Sequence, residues 1–330
     1  MKEGIIVINN GELKRKNNTV CFISGDEKKF IPIENLKEIY VLGDVSLNKK
    51  FLELLNKHKV IMHFFNFYGS YIGSFYPKEF LNSGCLILKQ AEHYLDLDKR
   101  LLLARKFVYG ALENMKKVLA YYVNRGKRLS SVVQNIELFQ KSVQTVNSIE
   151  ELMALEGNAK NYYYSAFDEI IKSSDFSFIK RTRRPPQNRL NALLSFSYSL
   201  LYAVCLTEIY HTHLDPRIGY LHATNFRRFS LNLDIAEIFK PVIADRVVLS
   251  VVNKAIIKPH HFEQEINSVT LNEKGKKIFL EEMRKKLAST IHHNRLKRNV
   301  SYQNLIRLEL YKLEKHLLGE AEYTPFVSNW

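Results

Sequence analysis

The sequence predicts an α+β protein with two domains, a small N-terminal β domain at 1–85 and a larger all-α C-terminal domain at 86–330. Short runs of β-branched and aromatic residues fill roughly the first 80 positions, as is typical of strands. Beyond about residue 86, apolar residues recur at helical spacing instead. The passage "YPKEFLNSGC" separates the strand-like pattern from the helical pattern, so we place the domain boundary there.

The N-terminal domain is expected to consist mainly of short strands joined by turns. Its predicted strands are "GIIVI", "TVCFI", "KFIPI", "EIYVLG", "VIMHFF" and "YIGSFYP". Turn residues in "NNG", "KNN" and "SGDE" separate several of these runs. One short helix, "NKKFLELLNKH", interrupts the series.

The C-terminal domain is expected to be helical almost throughout. The first helical stretch runs from residue 86 to residue 123. Further helices are predicted at roughly 129–145, 148–174, 188–212, 236–257, 272–289 and 301–318. We expect almost no strand beyond residue 100, with room for one hairpin at 221–233.

The composition is that of a folded protein with an excess of positive charge. The chain has 330 residues, of which 46% are hydrophobic and 25% charged. Its 49 Lys and Arg residues outnumber 34 Asp and Glu residues, which leaves a net charge of +15. Such an excess favours a polyanionic partner, because cations that neutralise phosphates release counterions. Nucleic acid is therefore the first choice of partner, and an anionic membrane surface is the second.

The sequence also favours a cytoplasmic location without a membrane. We find no run of about 18 apolar residues that could cross a bilayer. The N-terminal "MKEGIIVINNGELKRK" is too polar for a secretory signal. Three cysteines without C-x-x-C spacing indicate a reducing compartment, with neither a disulfide framework nor a zinc cage.

One acidic residue lies in an apolar stripe of a predicted helix. In "IEELMALEGNAKNYYYSAF", Glu156 shares a helix face with Leu152, Ala159 and Tyr163. A carboxylate in such a stripe needs a cation or a donor, and the plain alternative is an ion pair with an arginine from another helix. Gly157 costs a helix roughly 1 kcal/mol relative to Ala, which suggests that another group approaches the backbone closely there.

A histidine and two further acids occur in "DPRIGYLHATNFRRFSLNLDIAEIFKP". Asp234 and Glu237 are three residues apart and point the same way on a helix. Acids also suit a helix N-terminus, and His222 taken alone is an ordinary core or loop histidine. Together with Glu156, the imidazole and carboxylates make an oxygen-rich set that suits Mn²⁺ or Mg²⁺ better than zinc. Beside Arg227 and Arg228, such a set could act on a phosphodiester.

Basic residues form two further clusters. The stretch "IKRTRRPPQNR" is a loop of guanidinium groups suited to phosphates, although a solvated loop is the alternative. The second cluster lies in "HHNRLKRNVSYQNLIR". The residues that we expect to bind DNA are Arg181, Arg183, Arg184, Arg227, Arg228, Arg295, Lys297 and Arg298.

Four blocks in order resemble the signatures of the Cas1 family, the CRISPR-associated integrases. They are "ALEGNAKNYYYSAF", "RTRRPPQNRLNALLSFSYSLLYAV", "LDPRIGYLHATNFRRFSLNLDIAEIFKPVIADRVV" and "SYQNLIRLELYKLEKHLLGEAEYTPF". The resemblance covers essentially the whole chain, including "SGCLILKQAEHYLD". Within the family, the sequence is most similar in its general pattern to the subgroup found with type I systems.

The resemblance implies an architecture and a set of site residues. Cas1 proteins have an N-terminal β domain through which they form homodimers, and two such dimers flank a Cas2 dimer. The family's metal ligands fall here on Glu156, His222 and Glu237, where many relatives have Asp at the last position. Asp234 matches an auxiliary acid near the metal, and Tyr202 matches a tyrosine near the active site in some members.

The resemblance also implies an activity, which is cleavage and strand transfer of DNA with Mn²⁺ or Mg²⁺. A prespacer 3′-hydroxyl attacks a phosphodiester at the CRISPR leader–repeat boundary, and the reverse reaction resolves branched DNA. Two alternatives stay open, a stand-alone nuclease for branched DNA and a non-catalytic DNA-binding scaffold. If the acids form a metal site, removal of one acid is expected to relieve repulsion in the metal-free protein.

Overall fold

A computed structural model of the chain describes residues 3–79, 81, 83–223 and 229–329. The chain divides into two compact units, Met1–Phe80 and Leu81–Trp330. The division falls inside "YPKEFLNSGC", the passage at which the sequence changes from strand-like to helical texture. The N-terminal unit is rich in strands and the C-terminal unit is mostly helical, so the predicted α+β class is confirmed.

The N-terminal unit contains two four-stranded sheets. Its elements are β1 (Glu3–Val7), β2 (Gly11–Lys16), β3 (Thr19–Ser24), β4 (Glu27–Pro32), β5 (Leu36–Val41), β6 (Val45–Leu47), α1 (Lys49–His58), β7 (Ile61–Phe65) and β8 (Tyr71–Phe75). One sheet has the order β1-β5-β7-β8, with β8 antiparallel to its neighbour. The other has the order β4-β3-β2-β6, with β6 parallel to its neighbour. Apolar side chains of both sheets and of α1 form one core.

Two of these strands were not predicted, and their sequences explain why. Strand β2, "GELKRK", buries only Leu13 fully and leaves its charged end exposed, so no run of β-branched residues marks it. Strand β6 has three residues, which are too few to show a pattern. The predicted short helix is confirmed as α1, whose N-cap Asn48 accepts a hydrogen bond from the backbone N–H of Phe51.

The C-terminal unit is built from helices that lie close to the predicted positions. They are α2 (Gly84–Leu95), α3 (Leu97–Val123), α4 (Ser130–Ser142), α5 (Ile149–Ser165), α6 (Phe167–Ile170), α7 (Arg189–Tyr210), α8 (Leu231–Phe239), α9 (Arg246–Asn253), α10 (Glu273–Ala288) and α11 (Tyr302–Leu317). The stretch predicted as one helix from residue 86 to 123 breaks at Asp96. That side chain accepts hydrogen bonds from the backbone N–H groups of Asp98 and Lys99, which caps α3.

The C-terminal unit also contains short strands. They are β9 (Phe262–Glu265), β10 (Ser268–Leu271), β11 (Thr290–His293) and β12 (Arg298–Ser301), paired as two antiparallel hairpins. The expectation of almost no strand beyond residue 100 is wrong here, because four-residue strands such as "FEQE" carry too little pattern to detect. The hairpin suggested at 221–233 is not seen in the described residues of that stretch, where Leu231 begins α8, and 224–228 lie outside them.

Helix α7 is both long and strongly apolar. By length and composition it is long and apolar enough to cross a membrane, which corrects the expectation that no such run exists. However, 83% of its apolar window is buried inside the fold. Such burial is typical of a core helix, and α7 packs against α8 and α11.

Helices α8 and α9 are joined by a π-helical segment, Lys240–Asp245. All six of its residues are buried. Pro241 has no N–H with which to bond a carbonyl one turn back, which suits the wider π-helical turn. The segment therefore carries the charged side chains of Lys240 and Asp245 into the interior of the helical unit.

Candidate functional site

Asp234 fixes the loop that precedes α8. Its Oδ2 accepts hydrogen bonds from the backbone N–H groups of Tyr220 (2.6 Å) and Leu221 (3.1 Å). Its Oδ1 accepts a hydrogen bond from the backbone N–H of His222 at 2.9 Å. Hydrogen bonds to a buried carboxylate are among the stronger ones in proteins, so this residue determines the backbone path at 220–222.

Gly219 allows Asp234 to approach that closely. A Cβ added at this glycine would lie 2.9 Å from the Asp234 Oδ2 and 2.8 Å from the backbone carbon of Ser230. The Ser230 hydroxyl accepts a hydrogen bond from the Gly219 N–H at 2.9 Å and donates one to the Arg217 carbonyl at 2.8 Å. A larger residue at position 219 would therefore separate the loop from α8.

The His222 ring is oriented by the same carboxylate. Its Nδ1 donates to the Asp234 Oδ1 at 2.8 Å, and its Nε2 then lies 3.9 Å from the Glu237 Oε1. Burial acts to lower the pKa of His222, but the hydrogen bond to Asp234 and the nearby acids raise it overall. A carboxylate on one ring nitrogen fixes the tautomer and leaves the other nitrogen available to a ligand.

Glu156 and Glu237 meet at one ammonium group. The Lys160 Nζ contacts the Glu156 Oε1 and lies 2.7 Å from the Glu237 Oε2. All three side chains are largely buried, with exposed fractions of 9% for Lys160, 12% for Glu156 and 3% for Glu237. Apart from Lys160, no described group donates a hydrogen bond to either of these two carboxylate oxygens. A buried carboxylate oxygen that accepts no other hydrogen bond requires a cation beside it.

A second buried lysine holds the other oxygen of Glu237. The Lys240 Nζ donates to the Glu237 Oε1 at 2.5 Å and lies about 5 Å from the ring centroids of Tyr198 and Tyr202. Burial would raise the pKa of Glu237, but the charges of Lys160, Lys240 and His222 hold it well below its usual range. The carboxylate is therefore ionised and able to bind a cation.

A buried tyrosine network adjoins Lys240. The Tyr198 hydroxyl donates to the Asp245 Oδ1 at 2.6 Å, and the Tyr164 hydroxyl lies 2.7 Å from that of Tyr198. Burial raises the pKa of Asp245 to about 7. These contacts tie α5, α7 and the π-helical segment together behind the acidic residues.

The donor set fits a hard divalent ion, although the side chains are not arranged around one. Among the described residues, no three His, Cys, Asp or Glu side chains are close enough to hold an ion between them. The reason is visible in the contacts, since the Lys160 ammonium lies between the two carboxylates. Two carboxylates and an imidazole are ligands that Mn²⁺ and Mg²⁺ accept, and the two carboxylate oxygens beside Lys160 could receive such an ion.

Four of the predicted site residues come together here, from α5, the loop and α8. Glu156 is paired with a cation, as the plain alternative required, but with a lysine of its own helix rather than an arginine of another. Asp234 is fully buried behind His222. Tyr202 is half-buried and its ring lies beside Lys240.

Sequence reasoning missed Lys160 and Lys240. They stand four residues after Glu156 and three after Glu237, the spacings at which opposite charges pair on a helix. That spacing could have indicated from the sequence that the two lysines pair with the acids. The interpretation of Gly157 was wrong, since a Cβ added there would meet nothing within 4 Å.

The predicted DNA-binding residues divide into three groups. Arg183 and Arg184 are exposed in the loop before α7, and Arg295, Lys297 and Arg298 are exposed around the β11–β12 turn. Arg181 instead points inward and donates to Asn191 (3.0 Å) and Ser195 (3.1 Å), which positions the start of α7. Arg227 and Arg228 lie outside the described residues.

The sequence pattern described as "CRISPR associated protein Cas1" matches residues 5–285. A relative from Thermodesulfovibrio yellowstonii, named CRISPR-associated endonuclease Cas1 2, is 59% identical over 330 residues and covers 100% of both chains. A solved Cas1 structure from Thermotoga maritima superimposes with a TM-score of 0.89 at 46% identity, covering 99% of this chain and 100% of that one. The structure of a casposase bound to integration product shares the fold, with a TM-score of 0.88 at 21% identity and coverage of 99% and 94%.

Proposed function

This chain belongs to the Cas1 family, and from that premise we propose that it is a metal-dependent DNA endonuclease and integrase of CRISPR adaptation. It would join the 3′-hydroxyl of a prespacer to a phosphodiester at the leader–repeat boundary of a CRISPR array. The proposed cofactor is Mn²⁺ or Mg²⁺, and the proposed location is the cytoplasm, away from any membrane.

The strongest support for this proposal is the meeting of two buried acids at one lysine. The carboxylates of Glu156 and Glu237, from different helices, meet at the Lys160 ammonium, and the His222 Nε2 lies 3.9 Å from the other oxygen of Glu237. We propose these three residues as the metal ligands and Asp234 as the residue that positions His222. A bound divalent ion would stabilise the negative charge that develops on the phosphate and on the attacking and leaving oxygens.

The chain's own residues would prepare the site for that chemistry. Asp234 keeps a proton on Nδ1 of His222, so the Nε2 lone pair stays available to a ligand. Lys240 holds the Glu237 carboxylate ionised and in one orientation. Tyr202, beside Lys240, would line the site, and no covalent protein nucleophile is required for transfer between two DNA hydroxyls.

The test is strand transfer of a short labelled duplex into a plasmid that carries a leader and repeat. We expect joined product with Mn²⁺ or Mg²⁺ and none with EDTA. Cleavage of branched DNA without any joining would favour the stand-alone nuclease. DNA binding without either reaction would favour the non-catalytic scaffold. Because family members are expected to act with Cas2, the assay should be run with and without the Cas2 protein of the same organism.

We propose that the exposed arginines before α7 contact the DNA backbone. Replacing Arg183 and Arg184 together by Ala should weaken binding to all duplex sequences. It should also reduce the slope of log K against log salt by up to about one unit for each phosphate that is no longer neutralised, because fewer counterions are released. Fluorescence anisotropy at several salt concentrations measures this slope.

A matched control is Arg189→Ala. The Arg189 guanidinium already lies 3.7 Å from an Asp175 carboxylate oxygen, so it is less available to phosphate. We expect a smaller change of slope for this variant. An unchanged slope in the double variant would mean that the loop is only a solvated turn.

We also propose that the N-terminal unit forms the homodimer. Apolar side chains are exposed at the edge strand β8 and the turn before it, with exposed fractions of 66% for Ile72 and 59% for Phe67. An apolar patch at a sheet edge is a surface that a second copy of the chain can cover. Ile72→Lys should therefore shift the protein from dimer to monomer, measured by light scattering after gel filtration.

The control for dimerisation is Leu138→Lys, because Leu138 is similarly exposed (61%) but lies on α4 of the helical unit. It should leave the dimer intact. A dimer that persists in Ile72→Lys would place the interface elsewhere.

A further inference from the structure

The ammonium of Lys160 lies in the gap between the two proposed metal-binding carboxylates. We propose that Lys160 is an internal counter-cation, which fills this gap in the metal-free protein and must leave it when a divalent ion binds. The inference rests on the metal site proposed above and assigns a regulatory role to a residue of that site. Lys160 would act as a competitor of the metal and would tune its affinity.

The contacts of Lys160 support this role. Its Nζ touches the Glu156 Oε1 and lies 2.7 Å from the Glu237 Oε2, so one cation serves two acids. In the part of the chain that the structure describes, no group other than Lys160 donates a hydrogen bond to these oxygens. The charge of Lys160 therefore lies between two buried carboxylates and reduces their mutual repulsion, while Lys240 compensates Glu237 from its other oxygen.

Lys240 has a different position and would not be displaced in the same way. It bonds the opposite oxygen of Glu237, and its ammonium lies over the rings of Tyr198 and Tyr202. A divalent ion shared by Glu156 and Glu237 needs the space between the two oxygens that Lys160 contacts. Of the two lysines, only Lys160 has its ammonium group in that space.

Two consequences follow from charge alone. Without metal, the site is held together because Lys160 neutralises the acids. With metal, the ammonium and the divalent ion repel each other at short distance, which weakens metal binding relative to the same ligands without the lysine. Lys160 lies one helical turn after Glu156. Its flexible four-carbon side chain can turn the ammonium away from the acids, which allows the exchange.

The test measures Mn²⁺ binding to the full chain by calorimetry, with no DNA present. Lys160→Met removes the ammonium and keeps much of the side-chain volume, and we expect it to tighten Mn²⁺ binding by about tenfold or more. It should also lower the melting temperature of the metal-free protein while enlarging the rise in melting temperature that Mn²⁺ produces. Lys276→Met is the matched control, because Lys276 is similarly buried (7% exposed) but lies on α10. It should leave Mn²⁺ affinity unchanged.

The outcomes separate this inference from the proposed function. If wild-type protein binds Mn²⁺ and Lys160→Met binds it equally or more weakly, Lys160 is not a competitor, while the metal site stands. If neither protein binds Mn²⁺, the proposed metal site itself fails and the inference fails with it.

A second variant and a wild-type measurement cover the case in which Lys160→Met does not fold. Lys160→Gln keeps a polar group with two N–H donors but has no charge, and it should also tighten Mn²⁺ binding. In wild-type protein, saturating Mn²⁺ should increase reductive methylation of Lys160, read by mass spectrometry, because the displaced ammonium leaves its buried position. Unchanged labelling at Lys160 under saturating Mn²⁺ would overturn the inference.

Discussion

Replacing Glu156 by Ala is expected to abolish both DNA cleavage and strand transfer, a fall of about a thousandfold or more, because the site loses one of its two converging carboxylates. DNA affinity should change by less than about twofold, since backbone phosphates are held by basic residues elsewhere. Strand transfer with Mn²⁺ and duplex binding by anisotropy would be measured on the same preparations.

Glu150→Ala provides the control on the same helix, because Glu150 is exposed and lies in the first turn of α5. It should retain full activity. Wild-type strand transfer by Glu156→Ala in Mn²⁺ would contradict the site assignment directly. In that case the pair of Glu156 and Lys160 would be a structural ion pair only.

The structure changes the expected effect of this substitution on stability. From the sequence, removal of one acid should relieve repulsion in the metal-free protein. However, Lys160 lies between the acids, so the repulsion is already compensated. After Glu156→Ala, Lys160 still has Glu237 at 2.7 Å. We therefore expect no gain, and a loss smaller than the roughly 3–5 kcal/mol typical when a buried charge is left without a partner.

The sequence contained enough to predict the acidic residues but not their surroundings. Glu156 stood out because a carboxylate interrupted an apolar helical stripe, and the structure places it among the buried Leu152, Ala159 and Tyr163. Asp234 and Glu237 stood out because they are three apart at the start of a helix. What no spacing rule shows is how distant segments meet, and here one loop brings His222 to α8.

The missed features have physical reasons of the same kind. Charged residues in β2 and the four-residue strands of the two C-terminal hairpins lack the alternation by which strands are recognised. The apolar length of α7 resembles a membrane span because a helix buried on all sides has the same composition. Lys160 and Lys240 were not singled out from the sequence, since lysine is seldom buried unless it is paired.

Asp234→Asn is expected to cost both stability and activity, although it changes only one atom. The two carboxylate oxygens accept three backbone N–H groups and the His222 Nδ1–H. An amide has one acceptor oxygen. If that oxygen keeps the bonds of His222, the N–H groups of Tyr220 and Leu221 face an NH₂ donor. Each buried donor left without a partner costs about 1–3 kcal/mol, so the free energy of unfolding should fall by roughly 3–5 kcal/mol.

The measurement is denaturant unfolding together with strand transfer, compared with Asn232→Ala on the same helix. Asn232 donates one long hydrogen bond, 3.3 Å to the Tyr202 carbonyl, and its loss should cost only about 1 kcal/mol. Strand transfer by Asp234→Asn should fall by about 10–100-fold at a temperature where the variant is folded, because His222 then bonds a neutral amide oxygen instead of a carboxylate. Wild-type stability in Asp234→Asn would mean that the loop before α8 is held by other contacts. Wild-type activity would mean that His222 needs no carboxylate behind it.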